Sequence, residues 1–126
     1  MERVYIKQIS SRDKKAIKLF VKLGFTKNIA KTLIYISQHN ECRSVDIERE
    51  TNQRQPEVSE ATQQLMKKGW IKKRDLRKKR KGRPEQIYNL AYSIDEILTK
   101  IEKEKIKEIE KVKKHLFSLK NLIRQK

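Results

Sequence analysis

Lys67-Lys68-Gly69-Trp70-Ile71-Lys72-Lys73-Arg74-Asp75-Leu76-Arg77-Lys78-Lys79-Arg80-Lys81-Gly82-Arg83-Pro84 sets eleven Lys and Arg against a single Asp, and the order of residues inside it decides the fold. Apolar Trp70 and Ile71 open the run, Gly82 and Pro84 supply a turn, and Gln86-Ile87-Tyr88-Asn89-Leu90 follows with strand-like alternation. The pattern predicts a hairpin with a basic tip. A helix ending Leu65-Met66-Lys67-Lys68-Gly69 leads into it. Cations so concentrated beside a helix suit a nucleic-acid backbone, gripped through Coulomb attraction and counterion release.

Upstream of the hairpin, Pro56 stands at the first position of a helix that carries Val58, Ala61, Thr62, Leu65 and Met66 on one side. Four turn-like residues, Asn52 to Gln55, precede it, and before them a short helix runs from Ser44 to about Thr51. Asp46 and Glu48 suit the positive end of that helix, and Asn52 tolerates the left-handed conformation that ends it. Two helices joined by so tight a turn form a helix-turn-helix. Thr26 caps an earlier helix in which Ile29, Ala30, Leu33, Ile34 and Ile36 are apolar nearly all round, which predicts burial at the centre. A first helix follows Ser10 and Ser11, with Ala16, Ile17, Leu19, Phe20 and Leu23 as its stripe and Gly24 as its stop. Helix, helix, short helix, turn, helix, basic hairpin is the order of a winged helix-turn-helix.

From Ser93 to Lys126 runs one long helical pattern, opened by Ser93 and Glu96 as a capping box. Ile109, Val112, Leu116, Leu119 and Ile123 keep the alternating three-four spacing of a coiled coil, whereas Glu102 to Lys107 breaks register. So thin a stripe is unstable alone in water. Pairing with a second copy, or packing on that copy's first helix, is expected. The fold class expected is therefore mainly α with a small β-hairpin wing: residues 1–25 an N-terminal arm and helix supporting a dimer, 26–92 the winged helix-turn-helix, and 93–126 a coiled-coil-like dimerisation helix.

Composition bounds the function. In 126 residues, 36% hydrophobic and 39% charged, the core is thin, and a stable fold is expected to borrow apolar surface from a partner. The net charge of +17 is local: +4 over residues 1–66, +9 over 67–92 and +4 over 93–126. A concentrated patch points to a polyanion. Apolar stretches such as Leu33-Ile34-Tyr35-Ile36 are too short to span a bilayer, and no secretory apolar region follows Met1-Glu2-Arg3, so a cytoplasmic protein without a membrane is expected. The single Cys42, read as a surface or half-buried loop thiol, and two histidines, His39 and His115, make no familiar metal-ligand spacing. No cofactor is expected. With no nucleophile, base or phosphate-cradle motif in view, neither is an enzyme. Abundant Lys, Glu and Ile with few Gly and Pro is the balance found in heat-adapted proteins.

In a helix-turn-helix the second helix enters the major groove. Its outward residues are Gln55, Pro56, Glu57, Ser59, Glu60 and Gln63, of which Gln55, Pro56, Ser59 and Gln63 are the candidates for facing bases. Glu57 and Glu60 must accept from cytosine, pair with an Arg, or point away. Candidates for backbone or minor-groove contact are Arg54 in the turn, Lys67, and Arg77, Lys78, Lys79, Arg80, Lys81 and Arg83 at the tip. Trp70 is expected to anchor the base of the wing and Tyr88 to pack. An architectural DNA- or RNA-binding protein without base readout, and a protein–protein module using the long helix, stay open as alternatives.

Residues 26–92 resemble the winged helix-turn-helix of MarR- and TrmB-type transcriptional regulators. Arg54-Gln55-Pro56-Glu57-Val58-Ser59 with Lys68-Gly69-Trp70-Ile71 looks like the small archaeal regulators of that group, and Gly82-Arg83-Pro84 followed by Tyr88 is similar to the Gly-Arg-Pro-x-x-x-Tyr of many of their wings. The resemblance implies a dimer on double-stranded DNA, with Arg54 to Gln63 in the major groove and the wing on the flanking backbone. The 126 residues lack the large sugar-binding region of TrmB-type proteins, and the resemblance leaves an effector open.

Overall fold

The computed structural model describes residues 10–76 and 85–125. Among the described residues, five helices and three short strands run in the order α1 (Ser11–Lys22), α2 (Lys27–Gln38), β1 (Cys42–Arg43), α3 (Ser44–Thr51), α4 (Gln55–Lys67), β2 (Ile71–Leu76), β3 (Glu85–Leu90) and α5 (Ile94–Arg124). They divide into two compact units, Met1–Tyr92 and Ser93–Lys126. No described helix is long and apolar enough to cross a membrane.

Local hydrogen bonds explain where the helices of the first unit begin and end. The Ser10 hydroxyl accepts from the Asp13 N–H at 3.0 Å, and the Thr26 hydroxyl from the Ile29 N–H at 3.2 Å, so each satisfies a donor the helix leaves free. α3 stops at Asn52, whose left-handed backbone (φ 56) turns the chain after one more carbonyl is met. α4 stops at Gly69 (φ 79), where an added Cβ would touch nothing but would still strain the backbone. α4 begins at Gln55, one residue earlier than Pro56 suggests, so Pro56 occupies its second position and still forfeits no helical hydrogen bond.

The core is built where these helices cross. α2 packs against α1, α3 and α4, and the buried apolar residues of these helices are Ala30, Leu33 and Ile36 of α2, Ile17 and Phe20 of α1, Ile47 of α3 and Val58, Ala61 and Leu65 of α4. The apolar face of α1 is narrower than its sequence implies, since Leu19 and Leu23 are exposed. Phe25 links helices to sheet: its ring stands edge-on to Phe20 at 5.7 Å and tilted against Trp70 at 5.9 Å. Trp70, 2% exposed, is the anchor expected at the base of the wing.

The sheet is antiparallel with order β1-β3-β2. β2 and β3 pair from Ile71 opposite Leu90 to Leu76 opposite Glu85, which forms the body of the expected hairpin. β1 is a correction. Its two residues pair with β3, Cys42 opposite Tyr88, so Cys42 is a buried strand residue and not a surface or half-buried loop thiol. Burial pushes its thiol up to about 11, with the carboxylate of Asp46 adding to the shift.

In the second unit, α5 is a single helix of 31 residues, about 46 Å long at the usual rise. The Ser93 hydroxyl accepts from the Glu96 N–H at 3.1 Å and the Glu96 carboxylate accepts from the Ser93 N–H at 3.0 Å, which is the capping box its sequence predicts. Ile109, Val112, Leu116, Leu119 and Ile123 are half or more exposed, as are Phe117 and Leu122.

Candidate nucleic-acid interface

With Val58, Ala61, Thr62 and Leu65 buried, the helical period turns Pro56, Gln63 and Lys67 to the opposite side of α4, with Gln55 and Ser59 along one edge of that face. Gln55, Pro56 and Gln63 are exposed; Ser59 is half-buried, so it presents less surface than the other three. Lys67 continues the same face at the end of the helix. Arg54, just before α4, is exposed beside its first turn.

The two carboxylates of α4 are placed differently. Glu57 accepts from the Arg54 backbone N–H at 2.8 Å, closing the first turn of α4. Glu60 lines a shallow groove with Thr26, Asn28, Ile29, Ala61 and Gln64, on the flank of α4 that faces the start of α2. Lys31 on α2 has a pKa held below the usual lysine range, mainly by burial and then by Lys27, with Glu57 opposing the shift. Glu57 therefore sits toward the α2 side of the helix, whereas Glu60, four residues after Pro56 and three before Gln63, is exposed on the outward face at the rim of that groove.

The body of the hairpin carries cations of its own. Lys72, Lys73 and Arg74 of β2 are exposed and, with Asn89 and Leu90 of β3, line a groove of about 470 Å³. Arg74 is paired with Glu41, from the residues before β1. Lys68 lies over the rings of Trp70 (5.1 Å) and Phe25 (5.9 Å), an attraction that holds its ammonium near the junction of α4 and β2. Arg77, Lys78, Lys79, Arg80, Lys81 and Arg83 lie outside the described residues.

The sequence does not mark Lys72, Lys73 and Arg74 as a surface of their own, because they merge into the denser basic run beyond them and their neighbours Asn89 and Leu90 come from the other strand. Nor does it mark Gln53, which is buried in the turn between α3 and α4. Tyr88 packs as expected, 5% exposed, with its hydroxyl donating to the Gln86 side chain at 3.3 Å. Among the described residues no group of His, Cys, Asp and Glu is arranged to hold a metal ion.

Three crossed helices, a tight turn, a helix with a free polar face and a cationic hairpin define a winged helix-turn-helix protein. The sequence-family model of the sugar-specific transcriptional regulator TrmB matches residues 19–122, and the chain belongs to that family, one of regulators and not of enzymes. Among solved structures, MepR of S. aureus in its DNA-binding conformation aligns with a TM-score of 0.52 at 19% identity, over 90% of each chain. A MepR mutant from a multidrug-resistant S. aureus clinical isolate aligns with the same score at 18% identity, over 99% of each chain. Likeness at such identities is a likeness of fold. No curated protein matches the sequence.

Proposed function

We propose that the chain is a cytoplasmic, dimeric, sequence-specific regulator that binds double-stranded DNA, with α4 in the major groove and the wing on the flanking backbone or minor groove. The observation that carries this reading is the free face of α4, where Pro56 and Gln63 stand opposite the buried residues that hold the helix to the core and Gln55 and Ser59 lie along its edge. Glutamine amides there bond adenine edges, and Ser59 meets a base or a phosphate. Arg54 and Lys67 at the two ends of the helix, with Arg77, Lys78, Lys79, Arg80, Lys81 and Arg83 of the wing, neutralise phosphates and set the register. The concentration of +9 within residues 67–92 supports that role.

Dimerisation through α5 belongs to the same proposal. Its exposed stripe, Ile109 to Ile123, repeats at coiled-coil spacing, and a second copy supplies a matching stripe. A two-fold dimer presents two recognition helices to half-sites about 10 base pairs apart or a multiple of that. Selection of bound duplexes from a random pool tests the reading: a pseudo-palindrome with that spacing is expected. A pool that stays random while duplex binding persists would make the protein an architectural one, and equal binding to duplex RNA or single strands would remove the DNA reading altogether.

A further inference from the structure

Arg74 and Glu41 are 33 residues apart in sequence and meet across the sheet. β1 and β2 flank β3, so Glu41, immediately before β1, reaches over the central strand to the outer one. Its backbone is left-handed, with φ 51, a conformation costly for a glutamate. Both side chains remain largely open to water, 49% and 58% exposed, and an ion pair so exposed adds little to stability. On the same strand Lys72 and Lys73 have no carboxylate partner among the described residues and line the groove with Arg74 and the Asn89 amide.

We propose that this groove is a phosphate-backbone site on the body of the hairpin, separate from the tip, and that Glu41 sits at Arg74 as a built-in competing anion that lowers affinity for DNA of any sequence. The proposal rests on the DNA-binding reading above. Lys72 and Arg74 present two cations on one face of the strand, Lys73 between them alternates to the other face at the edge of the groove, and Asn89, opposite Lys72 in the register, adds an amide donor for a phosphate oxygen. The carboxylate on Arg74 marks where an anion is held. A phosphate arriving there must displace Glu41, and an arginine already neutralised by its own chain contributes no net charge to counterion release. Glu41 thereby withholds one backbone contact, which weakens random binding and leaves selectivity to α4.

Anisotropy titration of a labelled random-sequence duplex with the full-length protein, at several salt concentrations, tests this. Glu41→Gln should bind on the order of three- to tenfold more tightly than wild type, with a log–log salt slope steeper by about 0.9. Glu41→Asn removes the same charge while tolerating the left-handed backbone and should behave alike, which separates the effect from altered folding. Glu104→Gln on α5 makes the same change in net charge and should bind nearly as wild type. In an Arg74→Gln background the gain from Glu41→Gln should vanish. The proposal is overturned if Glu41→Gln matches Glu104→Gln, or if it binds more weakly, which would make Glu41 a support that positions Arg74. A wild-type protein that binds no duplex even at low salt would sink the DNA reading itself, a result distinct from the others.

Discussion

The side-chain amide of Gln53 donates to the hydroxyl of Thr32 at 3.0 Å, tying the turn of the helix-turn-helix to the middle of α2. Its other N–H reaches the Thr51 hydroxyl at 2.6 Å, and Thr51 in turn donates to the Ile47 carbonyl at 2.5 Å. All three polar side chains are buried, and the Gln53 Oε1 has no hydrogen-bond partner among the described residues. One amide thus joins α2, the end of α3 and the turn that leads into α4.

Gln53→Ala should cost roughly 1–3 kcal/mol of stability, because it deprives two buried hydroxyls of their donor and leaves a small cavity. Chemical denaturation measures the loss. Unchanged stability would show that water replaces the amide without penalty.

Specificity should reside on the free face of α4. Replacing Gln55 or Ser59 by Ala should cost on the order of 1–3 kcal/mol on the best site and change random-duplex binding little. Because Ser59 is half-buried, Gln55 should show the larger effect. Equal losses on specific and random DNA would rule out base readout by this face.

Leu116→Asp combined with Val112→Asp should convert the proposed dimer to monomers, since both lie on the exposed stripe of α5 and two charges cannot be buried there without partners. Sedimentation reports the mass. Operator affinity should fall on the order of a hundredfold, as two linked half-site contacts become one. A variant that still sediments as a dimer would move the interface to α1, where Leu19 and Leu23 are exposed.

Cys42 should resist alkylation in the folded protein. Its thiol is pushed up to about 11 from 9.0 by burial, so the stability gained by keeping it neutral is full below pH 9 and is lost as pH rises toward 11. At pH 8 the shift alone cuts the reactive thiolate about a hundredfold, before steric shielding is counted. Iodoacetamide labelling of native against denatured protein reads the difference; comparable rates would mean that β1 opens readily.

What the sequence determined by itself is what interactions within about one helical turn decide. Ser10, Thr26 and Ser93 cap their helices by bonding three residues ahead, Asn52 and Gly69 end helices through their own backbone freedom, and the period of Val58, Ala61, Thr62 and Leu65 names the buried side of α4. The order of those elements was enough for the winged helix-turn-helix. The tertiary structure alone decided what depends on distant partners. β1 has two residues, too few for any alternation to register, and exists because β3 lies beside it. Gln53 reads as one more polar turn residue until Thr32, 21 positions away, is brought to it. The same holds for Arg74, one cation among eleven, whose pairing with Glu41 depends on a sheet order that places β3 between them. Local propensity is written in neighbouring residues, whereas burial and long-range pairing are set by the crossing of elements that no short window contains.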